Sequence, residues 1–273
     1  MKLADKPIFN GKLYHISIVP GTLPRYVLLP GDPKRTEIIA DIWDKAEEVA
    51  YYRQYRSFRG EYKGAPISVL STGIGGPAME IALIELIYAE CDTFIRVGST
   101  GAIHKHVNVG DLIINTAAVR LDGASRAYAP IEYPAVASLD VTLALIQAAE
   151  SLGYKYHVGI VASTDSFYCG QERPIDGYLP NFKRGLTDQL RSMNVLNYEM
   201  ECATLFTLAN IFGVRAGAVN AVFANRVTGE FEKRGEKEAA RVASEAIKIL
   251  YEWDTEREKL GKSKYWIPIL ERE

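Results

Sequence analysis

Short apolar runs that break at glycine or proline alternate with amphipathic stretches from Arg25 to Trp253, and this alternation constrains the fold more than any other feature of the chain. Arg25 to Leu29, Ile67 to Leu70, Phe94 to Val97, Asp111 to Ala118, His157 to Ala162 and Val214 to Phe223 read as strands. Between them, Asp32-Pro33 opens a helix with a capping side chain and a proline at its first position. Ala78 to Ala89, Leu139 to Leu152, Ala203 to Phe212 and Glu236 to Trp253 carry helical patterns, two of them closed by Gly153 and Gly213. The expectation is an α/β fold: one domain over residues 1–253, with a central mixed sheet flanked by helices on both faces. Residues 254–273 read as a C-terminal extension, charged from Asp254 to Lys264 and apolar from Tyr265 to Leu270. Its apolar end is expected to dock on the chain's own core or on another subunit.

Composition narrows the partners. The 273 residues carry a formal net charge of −2, so no basic excess is available to hold nucleic acid or an anionic membrane surface. The amino terminus carries Lys2, Asp5 and Lys6 without an apolar core, and no run reaches the roughly 18 apolar residues of a membrane span. A cytoplasmic protein is expected. Cys91, Cys169 and Cys202 are far apart and show no C-x-x-C spacing, which fits reduced packing residues. His104 and His106 lie two apart with no third ligand at a matching spacing, so no metal is expected.

Arg96 is the residue that asks for a ligand. A guanidinium on an apolar strand stays charged, and its burial demands an anion, either a carboxylate of the chain or a bound phosphate. Gly98 to Ala102 reads as a tight turn leaving that strand, with amides free to face a ligand. Gly31 and Arg35, at the start of the helix opened by Pro33, form a second anion locus through free amides and the helix dipole. Val49 to Arg59 carries Arg53, Arg56 and Arg59 three apart and reads as one half-exposed strand at a subunit boundary. Gly73, Gly75 and Ala78 satisfy G-x-G-x-x-[GA], yet Asp92 precedes the next strand instead of ending it, so the dinucleotide reading is set aside.

Two further stretches carry recognition chemistry. Phe167 offers a flat face, Gln171 both a donor and an acceptor, and Arg173 only donors, a set suited to a planar polar ring. Asn197-Tyr198-Glu199-Met200-Glu201-Cys202 reads as the opening of the following helix. There Glu199 and Glu201 would point about 200° apart, which argues against a glycosidase pair. One of these carboxylates is expected to cap or salt-bridge while the other reaches into a site, where it is a good acceptor for two adjacent sugar hydroxyls.

In their order along the chain, Pro30-Gly31-Asp32-Pro33-Lys34-Arg35, Ser71-Thr72-Gly73-Ile74-Gly75-Gly76-Pro77, Arg96-Val97-Gly98-Ser99-Thr100-Gly101-Ala102, Gly170-Gln171-Glu172-Arg173 and Asn197-Tyr198-Glu199-Met200-Glu201 resemble the hexameric nucleoside phosphorylases. The resemblance implies reversible phosphorolysis, and the pyrimidine-directed type in particular: uridine and phosphate giving uracil and ribose 1-phosphate. It implies that Gly31, Arg35, Arg96 and Ser99 bind phosphate, with Arg53 supplied by a neighbouring subunit. Glu201 would hold ribose hydroxyls, Met200 would pack on the sugar, and the neighbour's copy of His15 would reach the 5′-hydroxyl. Phe167, Gln171 and Arg173 would hold the base, and Gln171 and Arg173 would stabilise charge on it as it departs. Phosphate is then a co-substrate and no cofactor is needed. The assembly implied is a homohexamer built as a trimer of dimers.

Purine-directed members place an aspartate after the last strand, whereas Arg215 to Gly229 contains no acidic residue. A purine or methylthioadenosine phosphorylase and a non-catalytic nucleoside sensor are the alternatives. The chain departs from the family in having Ser99 where threonine is usual. Gln54 and Ala78 stand where some members hold an interface cation through glutamate and serine, which puts that cation in question. With several basic groups on one phosphate, Arg96 is expected to face that anion and not a purely structural carboxylate partner.

Overall fold

The computed structural model describes residues 7–268. A short hairpin, β1 (Ile8–Phe9) with β2 (Lys12–Leu13), precedes β3 (Tyr26–Leu29) and α1 (Pro33–Ala40). Next come β4 (Lys45–Tyr52), β5 (Tyr55–Tyr62), β6 (Ala65–Leu70), α2 (Gly76–Tyr88), β7 (Thr93–Ala102) and β8 (Leu112–Leu121). The chain continues through β9 (Ala135–Val136), α3 (Leu139–Leu152), β10 (Tyr156–Thr164), α4 (Leu186–Ser192), β11 (Val195–Glu199), α5 (Cys202–Phe212), β12 (Arg215–Asn225) and α6 (Glu236–Lys259). The punctuation acts as its chemistry dictates. Asp32 accepts from the Lys34 amide at 2.9 Å with Pro33 at the first helical position, and Gly153 and Gly213 close their helices at φ 69° and 68°.

The fold is α/β, with one large mixed sheet ordered β4-β5-β6-β3-β7-β12-β8-β10-β11. β7 lies parallel to both β3 and β12. At the far end the sheet curls back on itself: β11 pairs antiparallel with β7 through Asn197 opposite Ala102 and Tyr198 opposite Gly101. This closure brings the end of β11 to the C-terminal half of β7. Side chains alternate across the strands. Ile95 and Val97 of β7 join a core with α1, α3 and α6, while Phe94 joins the opposite core with α2 and α5. Arg96 shares the parity of Phe94, so it points to the side where α5 begins.

Several expectations are corrected. Gly98 to Ala102 does not turn away; it extends β7, paired with Asn220 to Asn225 of β12, because the ladder satisfies backbone groups that a turn would leave open. Val49 to Arg59 is not one strand but the two arms of the β4–β5 hairpin, with Arg53 at its tip at φ 55°. β11 and α4 had no counterpart in the sequence reading, and β8 runs on to Leu121.

The last helix does not stop at Trp253. Asp254 is 3% exposed and accepts from Tyr26 Oη at 2.7 Å and from Arg215 Nη2 at 2.5 Å, which draws the helix across the end of the sheet to Lys259. Beyond it Trp266 and Ile267 are buried, and Ile267 joins the core of α3 and α6, as the docking reading expected for the apolar end. Ile269 and Leu270 lie outside the described residues. Among those described, no helix is long and apolar enough to cross a membrane.

Candidate active site

A cavity of about 970 Å³ opens at the C-terminal ends of β3, β7, β11 and β12. Its deepest wall is built by Arg96, Glu199 and Glu201. The Arg96 Nε lies 2.9 Å from Glu199 Oε2, and its Nη2 meets Glu201 Oε2. All three side chains are nearly fully buried. One sequence expectation is corrected here. Glu199 ends β11 and Glu201 follows a bend at Met200, so the carboxylates converge instead of diverging on a helix. Arg96, expected to face a bound anion, is held by both of them.

Glu199 is the hub of this junction. It accepts from the Glu201 amide at 2.8 Å, from the Cys202 amide at 3.0 Å and from Ser163 Oγ, and so satisfies orphan amides at the start of α5. Glu201 reaches further, accepting from the Gly75 amide at 2.6 Å at the mouth of α2. Burial raises the Glu201 pKa; Arg96 pulls it down, Glu199 pushes it up again, and it stays above the ordinary carboxylate range. The Arg96 guanidinium is lowered by burial but raised by Glu201 and Glu199, which prevail. Among the described residues its Nη1 is buried with no hydrogen-bond acceptor.

The other residues expected to hold an anion reach the same cavity. Gly31, Arg35 and Ser99 line the same cavity. Gly31 and Gly73 run so close that a Cβ on Gly31 would stand 3.0 Å from the Gly73 carbonyl oxygen. Arg35 is buried, its Nε 2.6 Å from Glu236 of α6 and its Nη1 donating to the Val97 carbonyl. Gln54 and Ala78 also line this side, and neither supplies an anionic ligand.

Phe167, Gln171, Arg173 and Met200 line the same cavity. Arg173 Nη1 donates to Gln171 Oε1 and, at 2.9 Å, to the Phe167 carbonyl. Its guanidinium sits 4.0 Å from the Phe167 ring centroid, on the flat face where a ring was expected to stack. Burial, aided by Arg226 nearby, lowers the Arg173 pKa to about 10.

Arg226, just past β12, donates to the carbonyls of Gln171 and Glu172 and lies over the Tyr198 ring. Glu199 takes the capping and salt-bridging part expected of one of the two carboxylates, whereas Arg226 carries no expectation from the sequence. Arg226 directly follows the last apolar strand and belongs to no motif of its own; the convergence of Glu199 with Glu201 follows from their two-residue spacing, which has meaning at a strand end and not in a helix.

A chain of amides backs this wall. Asn220 donates to Asn115 at 2.6 Å, Asn115 to Asn197 at 3.0 Å, Asn197 to Thr100 Oγ1 at 2.7 Å, and Thr100 to the Tyr198 carbonyl. These buried bonds cross the closed part of the sheet and hold β11 against β7.

Arg53 and His15 are not brought to this cavity within one chain. Arg53 is exposed at the hairpin tip, between the rings of Tyr14 and Tyr52. The His15 ring and backbone amide are anchored on Glu85 of α2, with Nδ1 2.6 Å from Oε1. The cysteines are free thiols; burial raises Cys91 to about 12 and Cys202 well above its usual value.

Comparison with known proteins agrees with this geometry. Residues 25–251 match the model of the phosphorylase superfamily. The chain is 63% identical to the uridine phosphorylase of Thermococcus kodakarensis over 260 residues, covering 95% of this chain and 94% of the relative. It is 43% identical to the uridine phosphorylase of Escherichia coli over 247 residues, 87% of this chain and 98% of the relative. A guanosine phosphorylase of Halorubrum lacusprofundi is 37% identical over 215 residues, 79% of this chain and 84% of the relative. The chain therefore belongs to the phosphorylase superfamily and is an enzyme of that type.

Proposed function

We propose that this enzyme catalyses the reversible phosphorolysis of uridine to uracil and ribose 1-phosphate. The observation that carries this reading is that Arg96 and Glu201, paired with each other, line one cavity together with Gln171 and Arg173. An anion site, a hydroxyl acceptor and a base-edge reader thus share one space, in a chain whose relatives include the uridine phosphorylases named above.

Phosphate is a weak nucleophile that must be stripped of water and aligned. Arg96, Arg35, Ser99 and the Gly31 backbone supply charge and donors for this. As phosphate oxygens occupy the Arg96 fork, Glu201 is released to accept from ribose hydroxyls, with Met200 against the sugar. The glycosidic bond then loosens toward an oxocarbenium-like state. Gln171 and Arg173 donate toward the charge that builds at the ring oxygens of the departing base, while Phe167 offers it a flat face. Charge–charge stabilisation replaces a general acid, which fits the lack of any acidic residue from Arg215 to Gly229.

The exposed Arg53 and the Glu85-anchored His15 complete the site of a neighbouring copy in a homohexamer, a trimer of dimers. The reaction needs no cofactor, and the enzyme works in the cytoplasm. The test is a nucleoside panel with and without inorganic phosphate. Phosphate-dependent uracil release from uridine, well above hypoxanthine release from inosine, supports the reading; purine preference or phosphate-independent cleavage refutes it.

A further inference from the structure

Glu172 lies between two residues of the base side, Gln171 and Arg173, yet its own side chain does not line the cavity. Its carboxylate accepts from the Thr187 amide at 2.7 Å and from the Gly185 amide, at the entry to α4. Its backbone sits at φ 56°, a left-handed conformation that a non-glycine residue holds only when its surroundings enforce it. The enforcement comes from two sides. Arg226 grips the Gln171 and Glu172 carbonyls from within the cavity, and α4 grips the carboxylate from outside. Thr187, which donates to Glu172, also bonds the hydroxyl of Tyr198 on the cavity wall at 3.2 Å.

We propose that Glu172 is a positioning residue for base recognition, its carboxylate clamping the Gln171–Arg173 turn to α4 so that both flanking side chains face the cavity. The assignment rests on the uridine reading above and deepens it. The left-handed turn sends the middle side chain away from its neighbours, and Glu172 converts that geometry into an anchor. Residues 174–184 leave and return at the ends of this clamp, so the anchor decouples the base side from a long exposed connection. Partial burial raises the carboxyl's pKa, but bonds from Thr187 and Gly185 and the charge of Arg226 outweigh this and hold it below its usual range, as an anchor that stays ionised requires.

The test compares E172A, E172G and E172Q with the wild-type enzyme in steady-state kinetics, varying uridine and phosphate separately and recording Tm for each variant. Glycine keeps the left-handed backbone without strain and removes only the anchor, so it separates the carboxylate from the turn geometry. The expected result is a rise of about ten- to hundredfold in the uridine KM of E172A and E172G, the phosphate KM staying within about twofold and E172Q falling between. A wild-type uridine KM in E172G overturns the assignment, as does a parallel rise in both KM values, which marks a general structural role. A wild-type enzyme without uridine turnover overturns the functional reading itself, a failure distinct from these.

Discussion

Arg96 Nε stands 2.9 Å from Glu199 Oε2, with Glu201 on the same guanidinium, although Arg96 lies on β7 and the two carboxylates at the end of β11 and in the bend that follows it. The closure of β11 onto β7 makes this contact possible, and in the proposed mechanism Arg96 is the point where phosphate and the sugar-binding carboxylate compete. Replacing it with alanine is predicted to lower kcat/KM for uridine by at least about 10²- to 10³-fold. Lysine is expected to recover little, because a point charge cannot span two carboxylates and a phosphate as the planar fork does. Steady-state kinetics of both variants check this, and near-normal turnover in either contradicts it.

Glu201 gives a pH dependence of defined sign. Burial, with Glu199 adding to it against the pull of Arg96, raises its pKa to about 7 in the folded chain. The folded protein then binds a proton that the unfolded chain has released. This contribution to stability is full below the ordinary carboxylate pKa and is lost as pH rises through about 7. Glu201→Gln mimics the protonated form, so its Tm should gain on wild type between about pH 5 and pH 8 while its activity falls. A Tm difference that does not change with pH would remove Glu201 as the titrating group.

Arg173 should separate base from phosphate. It is wired to Gln171 and Phe167 and not to the anion locus. Arg173→Ala is predicted to reduce kcat/KM for uridine by about a hundredfold and leave the phosphate KM nearly unchanged. Equal losses in both would place Arg173 elsewhere in the mechanism.

Asp254 tests the packing that carries α6 beyond residue 253. It binds Tyr26 and Arg215, and Arg257 adds to the cluster. Asp254→Ala should destabilise the chain by roughly 3–5 kcal/mol, since Arg215 would keep its burial and lose its main partner. Burial raises the Asp254 pKa, but Arg215 and Tyr26 lower it further, so the net shift is downward. Its contribution is therefore present above the ordinary carboxylate pKa and lost as pH falls through the lowered value. Urea titrations across that range check both size and sign, and kcat/KM well below Tm should be that of wild type.

The elements of this fold were largely legible in the sequence because each carries its own local signal. Pro33 after Asp32, and Gly153 and Gly213 after apolar stripes, set helix ends without reference to the rest of the chain. The residues of the cavity were legible as motifs and their mutual geometry was not. A helix reading of Asn197 to Cys202 separated Glu199 from Glu201, since the closure of the sheet is a long-range event that no window around β11 records. Similarly, Gly98 to Ala102 has the composition of a turn and becomes strand only because β12 lies beside it. Asp254 looked like the first residue of a charged tail, and its burial depends on Tyr26 and Arg215, both remote in sequence.

In the proposed reaction phosphate itself attacks the sugar in the cavity lined by Arg96 and Glu201. Following uridine turnover by phosphorus NMR, with uracil measured in parallel, tests it most directly. A ribose 1-phosphate signal is expected to grow in step with uracil as inorganic phosphate declines. Uracil released while the inorganic phosphate signal stays constant, with free ribose as the other product, would contradict it.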